Sequence, residues 1–166
     1  IDNSAAYFNG NGFVRVQGLG QTKSFSIALW YNTTEGGAII STDSISISAN
    51  KSSNNLDALW VIWIDGIGIG TYGTNNPVYF DSTWHHVVIT HDSSNSRIVT
   101  YFDGVIRHDR PNSGYFVGHN ANIYIGFYGG FGLGNLYPNF IGSLDDICLY
   151  DRALNSMEVE QLFYNA

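Results

Sequence analysis

The sequence predicts an all-β fold, an antiparallel sandwich with a short C-terminal helix. Apolar residues alternate in short runs of about four to eight, and the runs are separated by Gly, Asn, Asp and Ser. Hydrophobic residues make up 44% of the 166 residues and aromatic residues 15%, with 19 glycines and only 13% charged residues. This composition is typical of a β-rich domain with many tight turns.

The apolar runs predict strands in chain order. They occupy residues 5–8, 13–16, 24–32, 37–49, 59–72, 84–91, 97–107, 122–127 and 140–150. Loops rich in turn residues separate them, and the loop at 127–138 combines glycines with aromatic residues. We expect one domain over residues 1–166, because a chain of this length buries a sizeable core on its own.

The last strand predicts a bulge and leads into the helix. Leu144 and Ile147 are both apolar but have opposite parity in a two-residue repeat, and a bulge at Asp145 and Asp146 reconciles them. The helix follows Asn155.

The start of the helix carries two capping signals. Asn155 and Glu158 form a capping-box pattern, and Leu154 and Val159 occupy the positions of a hydrophobic staple. We expect this helix to dock on the sheet through residues 162–163, which are Leu and Phe.

Four blocks of the sequence resemble one family. The C-terminal block, residues 140–154, is similar to F-x-G-x-[ILM]-D-D-V-x-[IV]-Y-x-R-A-L, a pattern common in laminin-G-like jelly rolls of the concanavalin A-like lectin and glucanase superfamily. The matching positions are Phe140, Gly142, Leu144, Asp145, Asp146, Leu149, Tyr150, Arg152, Ala153 and Leu154. Residues 5–16 resemble the family's opening strand pair, residues 25–32 its second core strand, and residues 83–92 followed by 99–106 its central hairpin. The resemblance implies a two-sheet antiparallel jelly-roll sandwich. The chain departs from the pattern at Cys148, where Arg is frequent, and at Asn9, where Asp is frequent.

The resemblance implies a structural calcium ion as cofactor. Related jelly rolls use the first Asp of the C-terminal pair together with the N-terminal turn, which correspond here to Asp145 and to Asn9, Gly10 and Asn11. Carboxylate, amide and carbonyl oxygens are the ligands that calcium prefers. The alternative is that backbone N–H groups at the bulge satisfy the Asp145 carboxylate, and the sequence leaves both readings open.

Charge and composition exclude several classes of partner. The net charge is −7, and the seven basic residues are scattered, which argues against nucleic acid or an anionic membrane as partner. No apolar run is long enough to insert into a membrane. The chain begins at Ile1, so we expect a mature fragment or a domain of a longer protein. Sequons at Asn32 and Asn50 favour a secreted protein or the extracellular face of a surface protein.

The sequence predicts no catalytic activity. Retaining glucanases need two carboxylates about 5 Å apart, commonly from closely spaced residues of one strand. The chain has only three glutamates, Glu35, Glu158 and Glu160, and the last two fall in the predicted helix. His85 and His86 are adjacent on a strand, so they project to opposite faces and cannot share one metal ion.

Aromatic residues suggest a ligand surface. In the run 56–66, Trp60, Ile62 and Ile64 share one face, which we expect to be the core, whereas Trp63 and Asp65 share the other. An aromatic plane beside a carboxylate suits a sugar ring and its hydroxyls. The predicted ligand-binding residues are Trp63, Asp65, Tyr72, Arg107, Asp109, Tyr128 and Tyr137. We expect Trp63, Asp65, Tyr72 and Tyr128 to form one solvent-accessible patch.

These observations predict a non-catalytic, extracellular, lectin-like carbohydrate-binding module with a structural calcium. The alternative is a protein-interaction or adhesion module of a larger secreted or surface protein, using the same loops. The partner is then a glycan or an extracellular protein. Exposed aromatic rings flanked by hydrogen-bonding groups favour the first, and a larger apolar patch favours the second.

Overall fold

The fold is seen in a computed structural model that describes residues 4–17, 23–42, 45–50, 58–64, 69–75, 80–111, 122–129 and 138–165. For residues 50, 58–64 and 69–75 it describes the backbone alone. The strands are β1 (Ala6–Asn9), β2 (Val14–Val16), β3 (Phe25–Ser41), β4 (Ile45–Asn50), β5 (Ala58–Ile64), β6 (Ile69–Asn75), β7 (His85–Asp92), β8 (Arg97–Phe102), β9 (Val105–Pro111), β10 (Ile123–Ile125) and β11 (Ile141–Tyr150). One helix, α1 (Ser156–Tyr164), follows them.

The strands form two antiparallel layers that share β3. The first half of β3 pairs with β7 on one side and β11 on the other, so layer one runs β9-β8-β7-β3-β11-β1. The second half of β3 pairs with β4 and β10, so layer two runs β6-β5-β4-β3-β10-β2. The predicted all-β jelly-roll sandwich with a short C-terminal helix is confirmed.

A bend in β3 carries the chain from one layer to the other. The hydroxyl of Thr33 accepts hydrogen bonds from the backbone N–H groups of Glu35 and Gly36, at 3.0 and 2.8 Å, and donates to the carbonyl of Ile141 at 2.6 Å. Gly37 has φ +115°, and a Cβ there would lie 2.4 Å from a backbone oxygen of Asn139. Only glycine fits at this crossing. The sequence predicted two separate strands, whereas β3 is continuous through the bend.

The core lies between the layers. Its largest fully buried side chains are Tyr31, Phe102 and Phe140, surrounded by isoleucines of β3, β4, β7 and β10. Alternate residues of the paired strands point into this space, as the period of a strand requires.

The outer face of layer one is covered by α1. Leu154 and Val159 are buried there against Ala28, Val88 and Tyr101, so the predicted staple residues both pack on the sheet. Leu162 and Phe163 complete the contact, and the Phe163 ring stacks on Trp30 at 5.7 Å.

Two local predictions for the C-terminal segment are also confirmed. Asn155 accepts a hydrogen bond from the backbone N–H of Glu158, whose carboxylate accepts one from the backbone N–H of Asn155, as in a capping box. The pairing of β11 with β3 shifts between Asp145 and Cys148, and Asp146 has φ +46°, so the bulge lies where parity predicted it.

Candidate functional site

The predicted ligand residues do not form one patch. Trp63 lies on β5 and Tyr72 on β6, in layer two, whereas Arg107 and Asp109 lie on β9, at the edge of layer one. Asp65 and Tyr137 fall outside the described residues.

The parity predicted for β5 is wrong. Position 63 pairs with Ile45, position 61 with Ile47 and position 59 with Ala49, and these three residues of β4 belong to the core. Directly paired positions share a face of the sheet, so position 63 falls on the core-facing side. Position 60 pairs with Ser48, which is not part of the core cluster, so it falls on the other side of the sheet. Both sides of this strand are apolar in sequence, and only its register with β4 decides which one faces inward.

Tyr128 is also not at the surface. Its side chain is only 4% exposed, which contradicts its predicted place in a solvent-accessible patch. The reason is that residues 126–129 fold back onto the sheet. The carbonyl of Phe127 accepts a hydrogen bond from the Ser41 hydroxyl at 2.8 Å, and the N–H of Gly129 donates to the same hydroxyl at 3.0 Å.

Asp109 is held by an ion pair. Both of its carboxylate oxygens accept hydrogen bonds from the Arg97 guanidinium, which lowers the pKa of Asp109. Position 109 pairs with Val99, on the face of layer one that α1 covers. Asp109 therefore belongs to a different face of the molecule from the β5–β6 edge.

The register separates the two halves of the predicted calcium site. Asn9 pairs with Ile141, four residues before Asp145 on β11, which is about 13 Å at strand rise. Oxygens that share one calcium lie about 5 Å or less from one another, since each is 2.3–2.6 Å from the ion. Asp145 and the Asn9–Asn11 turn therefore do not form one site, and these residues do not fit the family's calcium.

Local hydrogen bonds occupy the oxygens of these residues instead. The Asp145 carboxylate accepts from the backbone N–H of Asp146 at 2.9 Å, as the alternative reading of the bulge expected. The carbonyl of Gly10 accepts from the Asn139 amide at 2.9 Å, and the Asn9 side chain accepts from the N–H of Asn11 at 3.0 Å. Within the described part of the chain, no three His, Cys, Asp or Glu side chains are grouped to hold a metal ion.

A partly exposed aromatic cluster lies at the β2–β10 edge of layer two. Phe13 stacks on Phe127 with ring centroids 4.9 Å apart and an interplanar angle of 26°. Tyr124 lies 5.9 Å from each of these rings. Phe13 is 50% exposed, so one large apolar ring stands open to solvent. We call these three residues the aromatic platform.

Strand pairing places the aromatic platform on the outer face. Val14 and Val16 pair with Ile125 and Ile123, which belong to the core, so Arg15 between them faces outward. Tyr124 is the outward residue of β10 for the same reason. The Ser41 hydroxyl holds the backbone of Phe127 and Gly129 over the sheet, so the Phe127 ring meets Phe13.

Gly129 makes room for the rings. A Cβ at this position would lie 2.6 Å from the Phe127 ring and 3.1 Å from the Tyr124 ring. Contacts below 3.0 Å force a neighbour to move, so a larger residue here would displace Phe127.

Polar groups flank the aromatic platform. Arg15 is the direct strand partner of Tyr124, is exposed, and has no hydrogen bond or ion pair with any described residue. The Tyr124 hydroxyl likewise has no hydrogen-bond partner among the described residues. An open ring beside a free hydroxyl and a free guanidinium can stack on a sugar and bind its oxygens.

Sequence reasoning missed the aromatic platform because it assigned residues 13–16 to a core strand as a block. A signal was present: Phe13 has the same parity as Arg15, whereas Val14 and Val16 have the other. The contact with Phe127 had no signal, because more than one hundred residues separate the two rings in sequence.

A cleft of about 470 Å³ separates α1 from the outer face of layer one. Trp30, Tyr150 and Leu162 are among its lining residues, and the Arg152–Glu158 ion pair stands at its edge. Phe163 stacks on the Trp30 ring, so this cleft lacks the open aromatic face that the aromatic platform has.

Two adjacent histidines of β7 occupy opposite faces, as predicted. His85 faces the core beside Phe102, and its two ring nitrogens lie 2.9 Å from Asp103 and 3.1 Å from Asp81. Burial opposes the charge of His85, but the two carboxylates outweigh it and raise its pKa. His86 faces α1, where burial lowers its pKa to about 4.

The fold and the exposed aromatic surface define a lectin-like binding type of β-sandwich. The family profile of the concanavalin A-like lectin/glucanases superfamily matches residues 8–160. The chain therefore belongs to the concanavalin A-like lectin/glucanase superfamily. A comparison with curated protein sequences found no match.

Solved structures show the same fold at low identity. A heptameric SAP-like pentraxin from Limulus polyphemus has a TM-score of 0.74 and 17% identity, over 95% of this chain and 80% of the pentraxin. Domain 4 of an extracellular GH43 arabinanase from Geobacillus stearothermophilus, in complex with arabinotriose, has a TM-score of 0.69 and 22% identity, over 95% and 75%. The binding domain of botulinum neurotoxin DC, in complex with rat synaptotagmin II, has a TM-score of 0.63 and 16% identity, over 87% of this chain and 36% of the toxin domain.

Proposed function

We propose that this chain is a non-catalytic, extracellular carbohydrate-binding module. The observation that carries the proposal is the aromatic platform, in which the half-exposed Phe13 ring is flanked by Tyr124 and Arg15, whose hydroxyl and guanidinium have no hydrogen-bond partner among the described residues. Monomeric proteins usually bury large rings, and an open ring flanked by hydrogen-bonding groups is typical of a ligand site.

The similarity to the arabinanase domain supports this class of ligand. That domain was solved with arabinotriose, and the resemblance covers 95% of this chain. A shared fold does not carry the ligand with it, so the support comes from the fold and the aromatic platform together.

The positions of the glutamates support a binding role without catalysis. Glu35 lies at the bend of β3, whereas Glu158 and Glu160 lie on α1. Glu158 is engaged by Arg152 and by the N-terminal cap of the helix. The family's glucanases require two carboxylates close together on one strand. No two glutamates of this chain have that arrangement.

The extracellular assignment rests on the class of ligand rather than on the sequons. The amide nitrogen of Asn32 donates a hydrogen bond to the carbonyl of Ser82 at 2.9 Å, so the atom that glycosylation would modify is engaged. Among the described residues, no helix is long and apolar enough to cross a membrane.

A protein-interaction module remains the second candidate, and a different surface favours it. Val105 and Ile106 are both exposed at the start of β9, one on each face of the far edge of layer one. The similar toxin domain was solved with a protein bound.

A glycan array followed by titration calorimetry tests the proposal. Wild-type protein should bind a defined set of glycans, and Phe13→Ala should weaken binding at least tenfold while the melting temperature changes by no more than about two degrees, because removing a half-exposed ring leaves no core cavity. Tyr7→Ala is the matched control, since Tyr7 is 71% exposed but lies on β1 in layer one.

Two results would count against carbohydrate binding at this surface. One is an array with no bound glycan, and the other is equal affinity for Phe13→Ala and wild type. Loss of protein partners, but not of glycans, in a Val105→Ser and Ile106→Ser double variant would favour the second candidate.

A further inference from the structure

We propose that the aromatic platform selects glycans that carry a carboxylate, and that Arg15 is the residue that recognises it. This inference rests on the proposed function, because it names the class of sugar bound at the same surface. The ligand would be a pyranoside bearing a carboxylate group, as uronic and sialic acids do.

The geometry places Arg15 within reach of a sugar on Phe13. Phe13 immediately precedes β2 and Arg15 is the middle residue of that strand, so the two lie at most about 7 Å apart along the chain. Tyr124 lies directly across from Arg15 on β10 and contacts the Phe13 ring. A pyranose ring stacked on Phe13 would therefore present its substituents to both polar groups.

Arg15 differs from the arginines that have carboxylate partners. Arg97 is bonded through two nitrogens to Asp109, and Arg152 is bonded to Glu158. Each of those guanidiniums is already neutralised. Arg15 has no such partner among the described residues, so its forked donors remain available for a ligand carboxylate.

The net charge of the chain opposes the binding of an anionic ligand, whereas the Arg15 guanidinium attracts such a ligand locally. A net charge of −7 repels anions at long range. At physiological ionic strength that field is screened within about 8 Å, so the local Arg15 charge dominates at the aromatic platform.

The experiment compares matched sugars that differ only in the carboxylate. Tetragalacturonate is titrated beside its methyl ester, and 3′-sialyllactose beside its methyl ester, against wild type, Arg15→Gln, Arg15→Lys and Phe13→Ala. Wild type should bind the carboxylate member of at least one pair about five- to tenfold more tightly. The pair that shows the preference distinguishes a uronate from a sialate.

The variants separate this inference from the proposed function. Arg15→Gln should remove the preference, so that both members of a pair bind with the same affinity, and Arg15→Lys should restore part of the preference. Phe13→Ala should weaken both members of the pair. Arg107→Gln is the control, since Arg107 is an exposed arginine on β9.

Three results would overturn the inference. Equal binding of both members of each pair by wild type, or a preference that survives in Arg15→Gln, would exclude Arg15 as the carboxylate anchor while leaving carbohydrate binding intact. Absence of binding to all four probes and to the glycan array would overturn the proposed function as well.

Discussion

Acid should destabilise this protein through His86. The imidazole is only 3% exposed, lies 5.0 Å from the Trp30 ring and stacks with Phe163 of α1. Its Nδ1 atom is buried and has no hydrogen-bond partner among the described residues. Burial disfavours the charged form and lowers the pKa to about 4, against which the charge of Asp103 acts only weakly.

The size of the effect follows from the two pKa values. In the unfolded chain a histidine has a pKa of about 6.5, so at pH 5 the unfolded state binds a proton that the folded state does not. Because the folded pKa is depressed, the unfolded form is stabilised as pH falls. Because of His86, the free energy of unfolding should fall by about 2 kcal/mol between pH 7.5 and pH 5. This corresponds to a fall of about 4 to 8 °C in melting temperature for a chain of this size.

The assay is urea unfolding at pH 7.5, 6.5, 5.5 and 5.0 with wild type and His86→Phe. Phenylalanine keeps the ring stack with Trp30 and Phe163 and removes the titrating nitrogens. All other titratable groups are the same in both proteins, so the difference between the two pH profiles isolates His86. Wild type should lose about 2 kcal/mol more than the variant between pH 7.5 and pH 5.

Parallel pH profiles for the two proteins would refute this reasoning. They would mean that His86 is protonated in the folded state as easily as in the unfolded chain, and so is not enclosed under α1. A larger loss of stability on acidification in His86→Phe than in wild type would refute it as well.

Three further predictions concern other parts of the fold. Asp103→Asn should lower the free energy of unfolding by about 1 kcal/mol at pH 5.5 and by less at pH 9, as measured by urea unfolding. The raised pKa of His85 stabilises the fold fully below about pH 6.5, and this contribution is lost as pH rises through the folded pKa. An equal loss at the two pH values would contradict this prediction. Asn155→Ala should lower the free energy of unfolding by about 1 kcal/mol while Asn155→Ser retains most of it, and wild-type stability of the alanine variant would show that the capping box contributes nothing. Any rise in melting temperature on adding calcium should be equal in wild type and Asp145→Asn, because the strand register places Asp145 away from the Asn9–Asn11 turn. A rise seen in wild type but not in the variant would contradict this and favour the family's calcium site.

Local patterns in the sequence were enough to predict the architecture. The period of two along the strands, the opposite parities of Leu144 and Ile147 and the capping pair Asn155 and Glu158 each depend on neighbours within a few residues. Such features are decided by backbone geometry and short-range hydrogen bonds, and the structure confirms the sandwich, the bulge and the capped helix. The family pattern at residues 140–154 added the class of fold, which the match over residues 8–160 confirms.

Local patterns were not enough to predict the candidate site. The strand β5 is apolar on both sides, so its inward face is decided by pairing of Trp63 with Ile45 rather than by its own composition. The distance from Asn9 to Asp145 depends on a register that neither segment encodes alone.

By itself, the sequence determined that this chain is a β-sandwich of a known superfamily, with the strand periods, bulge and helix cap that such a fold needs. Only the tertiary structure decided which surfaces are open. Phe13 and Phe127 meet because β2 pairs with β10 and because Ser41 holds the backbone of residues 127–129 on layer two. Exposure and contact between distant residues are properties of the packed layers, since they depend on register across strands that are far apart in the chain.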